Sequence, residues 1–139
     1  MTIFSAPGAA LRLASLVTSV NVLVASGFAV AGLIWPAAVL PAGSTPTAAS
    51  FIFALYAAAR TIPLALITLA AIYRRAASAL LVLGSVAGAA QFLDAGIGVF
   101  QHDAGKSIGP LVIALLQLAA LLPLDKSIRR AAKIRAGAA

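Results

Sequence analysis

A chain of 139 residues that is 63% hydrophobic and only 9% charged has more apolar surface than one small water-soluble core can hide. With no cysteine, one histidine and three acidic residues, it lacks the ligands for disulfides, thiolate metal sites, iron–sulfur clusters or a transition-metal centre, and no cofactor or metal is expected. The net charge of +7 does not point to nucleic acid, because the cations sit at the ends of apolar blocks with no soluble basic surface of stacking aromatics beside them.

Four apolar blocks of roughly 17 to 25 residues fill nearly the whole chain, each long enough to cross a hydrocarbon core of about 30 Å. The expected fold is all-α, a single transmembrane domain over residues 1–139, with any site among the helices or at their mouths. The first block, about Leu13 to Trp35, follows a short tail whose one cation is Arg12. Ala29-Val30-Ala31 resembles a signal cleavage site, but an apolar stretch of about 20 residues exceeds the roughly 7 to 15 of a signal core, so an uncleaved helix is expected. The uncharged, proline-rich segment Pro36 to Ser50 reads as an external loop. The second block runs from about Phe51 to Tyr73 and stops at Arg74-Arg75. The third runs from about Ala76 to Phe100, and its Gly84 and Gly88 form a GxxxG pair that admits a close neighbour. A loop from Gln101 to Ser107 leads to the fourth block, about Ile108 to Leu124. A basic tail over 125–139 follows, with Lys126, Arg129, Arg130, Lys133 and Arg135 spaced for an amphipathic helix on anionic headgroups.

The cations place Arg12, Arg74-Arg75 and the tail on one side of the membrane and only Lys106 on the other. The positive-inside rule then puts both termini in the cytoplasm, as expected of a multi-pass protein of a bacterial inner membrane. Trp35 and Tyr73 fall where interfacial aromatics belong.

Ionisable groups inside a membrane are site hypotheses by default, and here they are Arg60 and Asp94. Arg60 falls about 13 Å below the outer end of the second helix and Asp94 about 9 Å below the outer end of the third, so the two can meet. Gln91 shares a helix face with Asp94, Tyr56 lies one turn above Arg60, and Gln117 reaches a comparable depth. Asn21 is expected deeper, as an interhelical hydrogen-bond contact. Pro63 frees the carbonyl of Ala59. His102 and Asp103 stand at the outer mouth, as solvated loop residues or as contacts to a headgroup, and Trp35 is an anchor or a pocket wall. In one reading Arg60 and Asp94 form a structural ion pair that fixes register. In another, Asp94 is an acid or base toward a lipophilic substrate, with Arg60 or Tyr56 stabilising the opposite charge. A third is ion or proton movement.

With Tyr56-Ala57-Ala58-Ala59-Arg60 early in the second helix and Gln91-Phe92-Leu93-Asp94 late in the third, the layout resembles the DoxX-like group of small bacterial four-helix membrane proteins. That group includes quinone-linked proteins. The chain is also similar to compact membrane-bound terpene cyclases and sterol-type isomerases, which imply acids among short helices; they often use paired acids, where this chain has Asp94 inside and Asp103 at the rim. Small multidrug transporters carry a glutamate in the first helix, and this chain has none. The expected function is an intramembrane site for a lipophilic small molecule, with acid–base isomerisation or cyclisation as its chemistry. The alternatives are a non-catalytic scaffold subunit and a proton-coupled transporter, with homo-oligomerisation left open.

Overall fold

The computed structural model describes residues 7–41 and 43–137. Among them lie α1 (Pro7–Ile34), a 3-10 turn (Pro36–Ala38), α2 (Ala48–Tyr73), α3 (Ala77–Phe100) and α4 (Ala104–Gly137), with no strand. All four α-helices are long and apolar enough to cross a membrane, which makes this a multi-pass, four-helix membrane protein. The helices start earlier than the apolar blocks suggest, α1 at Pro7 and α4 at Ala104. The basic segment continues the fourth helix: α4 runs unbroken through it to Gly137. The first six residues of the N-terminal tail, Ala42 in the long loop and the last two residues of the basic tail lie outside the described residues.

Local chemistry sets the boundaries. Pro36, Pro41 and Pro46 keep the first connection from continuing α1. Thr47 then caps α2: its hydroxyl accepts the amide of Ser50 at 3.1 Å, and the Ser50 hydroxyl accepts the amide of Thr47 at 2.9 Å, a reciprocal capping box. The other two connections are tight and alike. Arg75 and His102 adopt left-handed backbone, φ 52° and 54°, which turns the amides of Ala76 and Asp103 back onto the carbonyls of Ala71 and Gly98 at 2.9 and 3.0 Å. Glycine usually holds this position in the motif, because a side chain there is strained.

The helices run alternately up and down. We call the end with the α1–α2 and α3–α4 connections the loop end. α3 packs most closely on α4 and α1 on α2 and α4; α1 and α3 touch across the bundle, while α2 and α3 meet only thinly. Small residues make the close contacts, with Ala14, Leu80, Leu121 and Leu124 in one buried cluster and Val22, Ala65 and Ala87 in another. The larger side chains, among them Leu16, Phe53, Leu93, Phe100 and Leu118, point outward, as helices in lipid require, where bulk outside costs nothing and close backbones gain dispersion contacts.

At the loop end the α3–α4 hairpin closes until backbones touch. A Cβ on Gly98 would overlap the carbonyl of Lys106 and the amide of Ser107. That carbonyl is also the one left without a helical donor by Pro110. Gly98→Ala should therefore lower stability by about 1–3 kcal/mol, the usual range for overpacking. Gly96→Ala, two residues away with nothing near its Cβ position, should be neutral or stabilising by up to about 1 kcal/mol through helix propensity. Thermal unfolding of the two variants in the same detergent checks the contrast.

Candidate functional site

The interior of the bundle holds a chain of polar side chains. Gln91 on α3 donates from Nε2 to Asn21 Oδ1 on α1 at 2.9 Å; Asn21 Nδ2 donates to Gln117 Oε1 on α4 at 3.2 Å; Gln117 Nε2 donates to Thr18 Oγ1 at 2.8 Å. All four residues are buried, Gln117 and Thr18 completely. The GxxxG pair exists for this chain. A Cβ on Gly84 would sit 2.8 Å from Gln117 Nε2, and one on Gly88 3.1 Å from Gln117 Cγ, so the two glycines open the groove in which that side chain lies. Asn21 is not deeper than Gln117, contrary to the sequence expectation. Because α4 begins at Ala104, Gln117 lies about 20 Å along it, and Asn21 lies about 20 Å from the loop end of α1, so they share a level.

Toward the loop end from this layer the bundle is hollow. A half-open cavity of about 460 Å³ is lined by residues of all four helices, its wall largely apolar from Phe28, Ala29, Ala54, Ala57, Ile97 and Ile113. Thr61, Gln91 and Asp94 give it a polar inner end, and Gln101 and Lys106 lie toward the loop end. A second recess of about 260 Å³ lies between α2 and α3, backed by Asn21 and Val22 of α1 and bordered by Arg60. Ala25, Thr61, Gln91 and Asp94 line both, so the two adjoin where α2 and α3 pack thinly.

Arg60 and Asp94 both border this recess, as their expected depths require, but they form no ion pair. Among the described residues the ion pairs are Lys106 to Asp103 at 3.3 Å and Arg129 to Asp125 at 2.8 Å. The structural ion pair considered from the sequence is therefore not made within the chain. Both side chains are exposed on the flank, where each uncompensated charge costs at least about 2.5 kcal/mol in a bilayer. The Arg60 guanidinium lies over the Tyr56 ring, 5.9 Å from its centroid, a cation–π contact that offsets part of that cost.

The remaining sequence candidates stand apart. Tyr56, Trp35, His102 and Asp103 line neither cavity, and Gln117 stands behind Asn21 in the core. Among the described residues no cluster of His, Asp or Glu could hold a metal ion. Thr18 and Thr61 escaped the sequence reading, although Thr18 lies one turn before Asn21, a spacing that shares a helix face.

Lys106 is the other residue whose role the sequence did not suggest beyond its charge. Its ammonium faces the carbonyls of Val39 and Leu40 at 3.2 and 3.1 Å, Gln101 Oε1 at 3.3 Å and Asp103 Oδ2 at 3.3 Å. Its three protons are thus taken up, and it ties the first connection to the third. Asp103 in turn accepts the Lys106 amide at 3.1 Å, which, with the neighbouring ammonium, holds its carboxyl below the usual carboxylate range.

Two outcomes follow from these contacts. Asn21→Ala strands Gln91 Nε2 and Gln117 Oε1 together, so it should cost about 1–3 kcal/mol for each group left unpaired; a double-mutant cycle with Gln117→Ala, read by unfolding in detergent, should show strong non-additivity. Because Asp103 is depressed in the folded state, its contribution is fully present above the ordinary carboxylate pKa of about 3.9 and is lost as pH falls through the lower folded value. Emission from Trp35, the chain's one tryptophan, should stay constant from about pH 7 to 5 and shift only below about pH 4 as the clamp opens. In Asp103→Asn the acid-side shift should be absent.

No protein-family model matches the chain, and neither curated proteins nor solved structures return a significant match.

Proposed function

We propose that the 460 Å³ cavity binds a lipophilic small molecule carrying one polar group, held within the membrane. The observation that carries this reading is the distribution of its wall: apolar along the length, with Thr61, Gln91 and Asp94 gathered at one end. Small-molecule sites are typically about 300–1,000 Å³ with a few convergent polar groups in an apolar wall. Gln91 is fixed by its bond to Asn21 at 2.9 Å, so it offers its remaining capacity in a set direction. Asp94 is the group able to exchange a proton with the bound molecule, while Arg60, over the Tyr56 ring, borders the adjoining recess. Acid–base isomerisation or cyclisation is the chemistry such a wall suits. A purely scaffolding bundle has no use for a hollow interior or for two charges left open, which weighs against that alternative.

The cation distribution supports an orientation in a bacterial inner membrane with both termini cytoplasmic, the cavity toward the outer leaflet and the basic end of α4 against anionic lipid.

Native mass spectrometry of gently extracted protein tests the proposal on wild type, Asp94→Asn and Ala29→Phe. Wild type should carry a discrete hydrophobic molecule beyond bulk lipid. Ala29→Phe, which puts a ring into the cavity, should lower its occupancy at least tenfold, and Asp94→Asn should retain it at occupancy at least tenfold lower or in a chemically altered form. Equal occupancy in wild type and Ala29→Phe would show that the cavity is not the site.

A further inference from the structure

Arg60 and Asp94 are opposite charges on one flank of one chain, and the way that flank is built points to a second copy of the chain. Neither belongs to the ion pairs made among the described residues, and both side chains are exposed. Taking the buried cluster of Val22, Ala65 and Ala87 as a common level, Arg60 lies about 7.5 Å and Asp94 about 10.5 Å toward the loop end, a difference of about 3 Å that a long arginine side chain spans. A flank that carries both signs at one height is complementary to itself. A two-fold axis along the membrane normal keeps every residue at its own depth, so it sets Arg60 of each copy against Asp94 of the other.

We propose that the chain forms a two-fold homodimer through the α2–α3 flank, closed by two reciprocal Arg60–Asp94 ion pairs. The rest of the flank fits such a contact. Ala57 and Ala90 are exposed beside the two charges, small enough for helices to approach. Phe53, Leu93 and Ile97 are exposed around them and supply apolar bulk. α2 and α3, which meet only thinly within one chain, gain neighbours from the other. The second copy also covers the recess that Arg60 and Asp94 border, so the site is completed from outside. The inference stands whether or not the larger cavity holds a ligand, because it rests on the charges and their heights alone.

Charge exchange between copies tests it. Two differently tagged full-length chains are co-expressed, extracted in mild detergent or nanodiscs, and the fraction of one recovered with the other is measured. Wild type should co-purify with wild type. R60D paired with R60D, and D94R paired with D94R, each juxtapose like charges twice and should lower recovery at least tenfold. R60D co-expressed with D94R restores both pairs across the interface, so recovery should return to within about twofold of wild type. If that mixture fails while R60D/D94R placed in one chain behaves as wild type, the charges pair within a chain and the proposal is wrong.

Crosslinking in native membranes gives a readout that does not depend on charge variants inserting correctly. The chain has no cysteine, so single thiols are unambiguous. Ile97→Cys on the proposed face should give dimer with a short bis-maleimide, and Leu118→Cys on α4, equally exposed, should not. Equal crosslinking at both positions, or none at Ile97, would overturn the interface.

Discussion

Hydrocarbon offers a polar side chain no water to fall back on, and the hydrogen-bonded chain from Gln91 through Asn21 and Gln117 to Thr18 meets that constraint with three helices at once. Each member satisfies the next, so the register of α1 against α3 and α4 is fixed to within one turn. A shift of α4 by one turn, about 5.4 Å, would break both bonds of Gln117 and leave their partners stranded. The glycine pair that lets Gln117 lie against α3 brings the two backbones together, and the same closeness recurs at Gly98, where α3 meets the Lys106 carbonyl. Tight α3–α4 packing is therefore a consequence of where the polar groups are, more than of hydrophobic attraction, which lipid does not supply.

The hollow follows from the same economy of contacts. α1, α3 and α4 are joined by the polar layer, while α2 contributes no side chain to that chain; its buried Thr68 bonds back to its own Leu64 carbonyl at 2.7 Å. α2 is thus held to α1 by small residues and meets α3 only thinly. Toward the loop end the polar layer no longer draws the helices in, and the wall is made of Ala54, Ala57, Ala29 and Gly109, whose side chains are too short to fill the gap. Lys106 spans the top by holding the Val39 and Leu40 carbonyls, which keeps the connection in place over a void that packing alone would let collapse.

Much of this was legible in the amino-acid order. Helix number, the tight second connection and the grouping of Gln91 with Asp94 come from apolar length and from residue spacing, both of which act within one helix. What the order concealed depends on contacts between helices. Gly84 and Gly88 signal a close neighbour but not that a glutamine side chain is what they accommodate. Gln117 was placed too shallow because the start of α4 was set by its apolar run; Asp103, accepting the Lys106 amide at 3.1 Å, nucleates the helix several residues earlier. The absent Arg60–Asp94 pair is the clearest case. Depth along a helix is countable from sequence, whereas direction around the bundle depends on which faces the other helices claim.

That direction gives Asp94 two neighbours to serve. It lines the larger cavity and the flank recess together, and an ionised carboxylate has two oxygens with about four acceptor positions. One oxygen can receive a guanidinium from outside the bundle while the other faces a polar group within, so the contacts do not compete for the same lone pairs. A cation held against the outer oxygen favours the charged form of the carboxyl and opposes its acting as a proton donor. In the proposed dimer, association through the flank and protonation at the cavity are linked: whatever strengthens one must weaken the other by the same free energy. A bound molecule that needs Asp94 protonated would loosen the dimer, and one that donates a hydrogen bond to the carboxylate would tighten it.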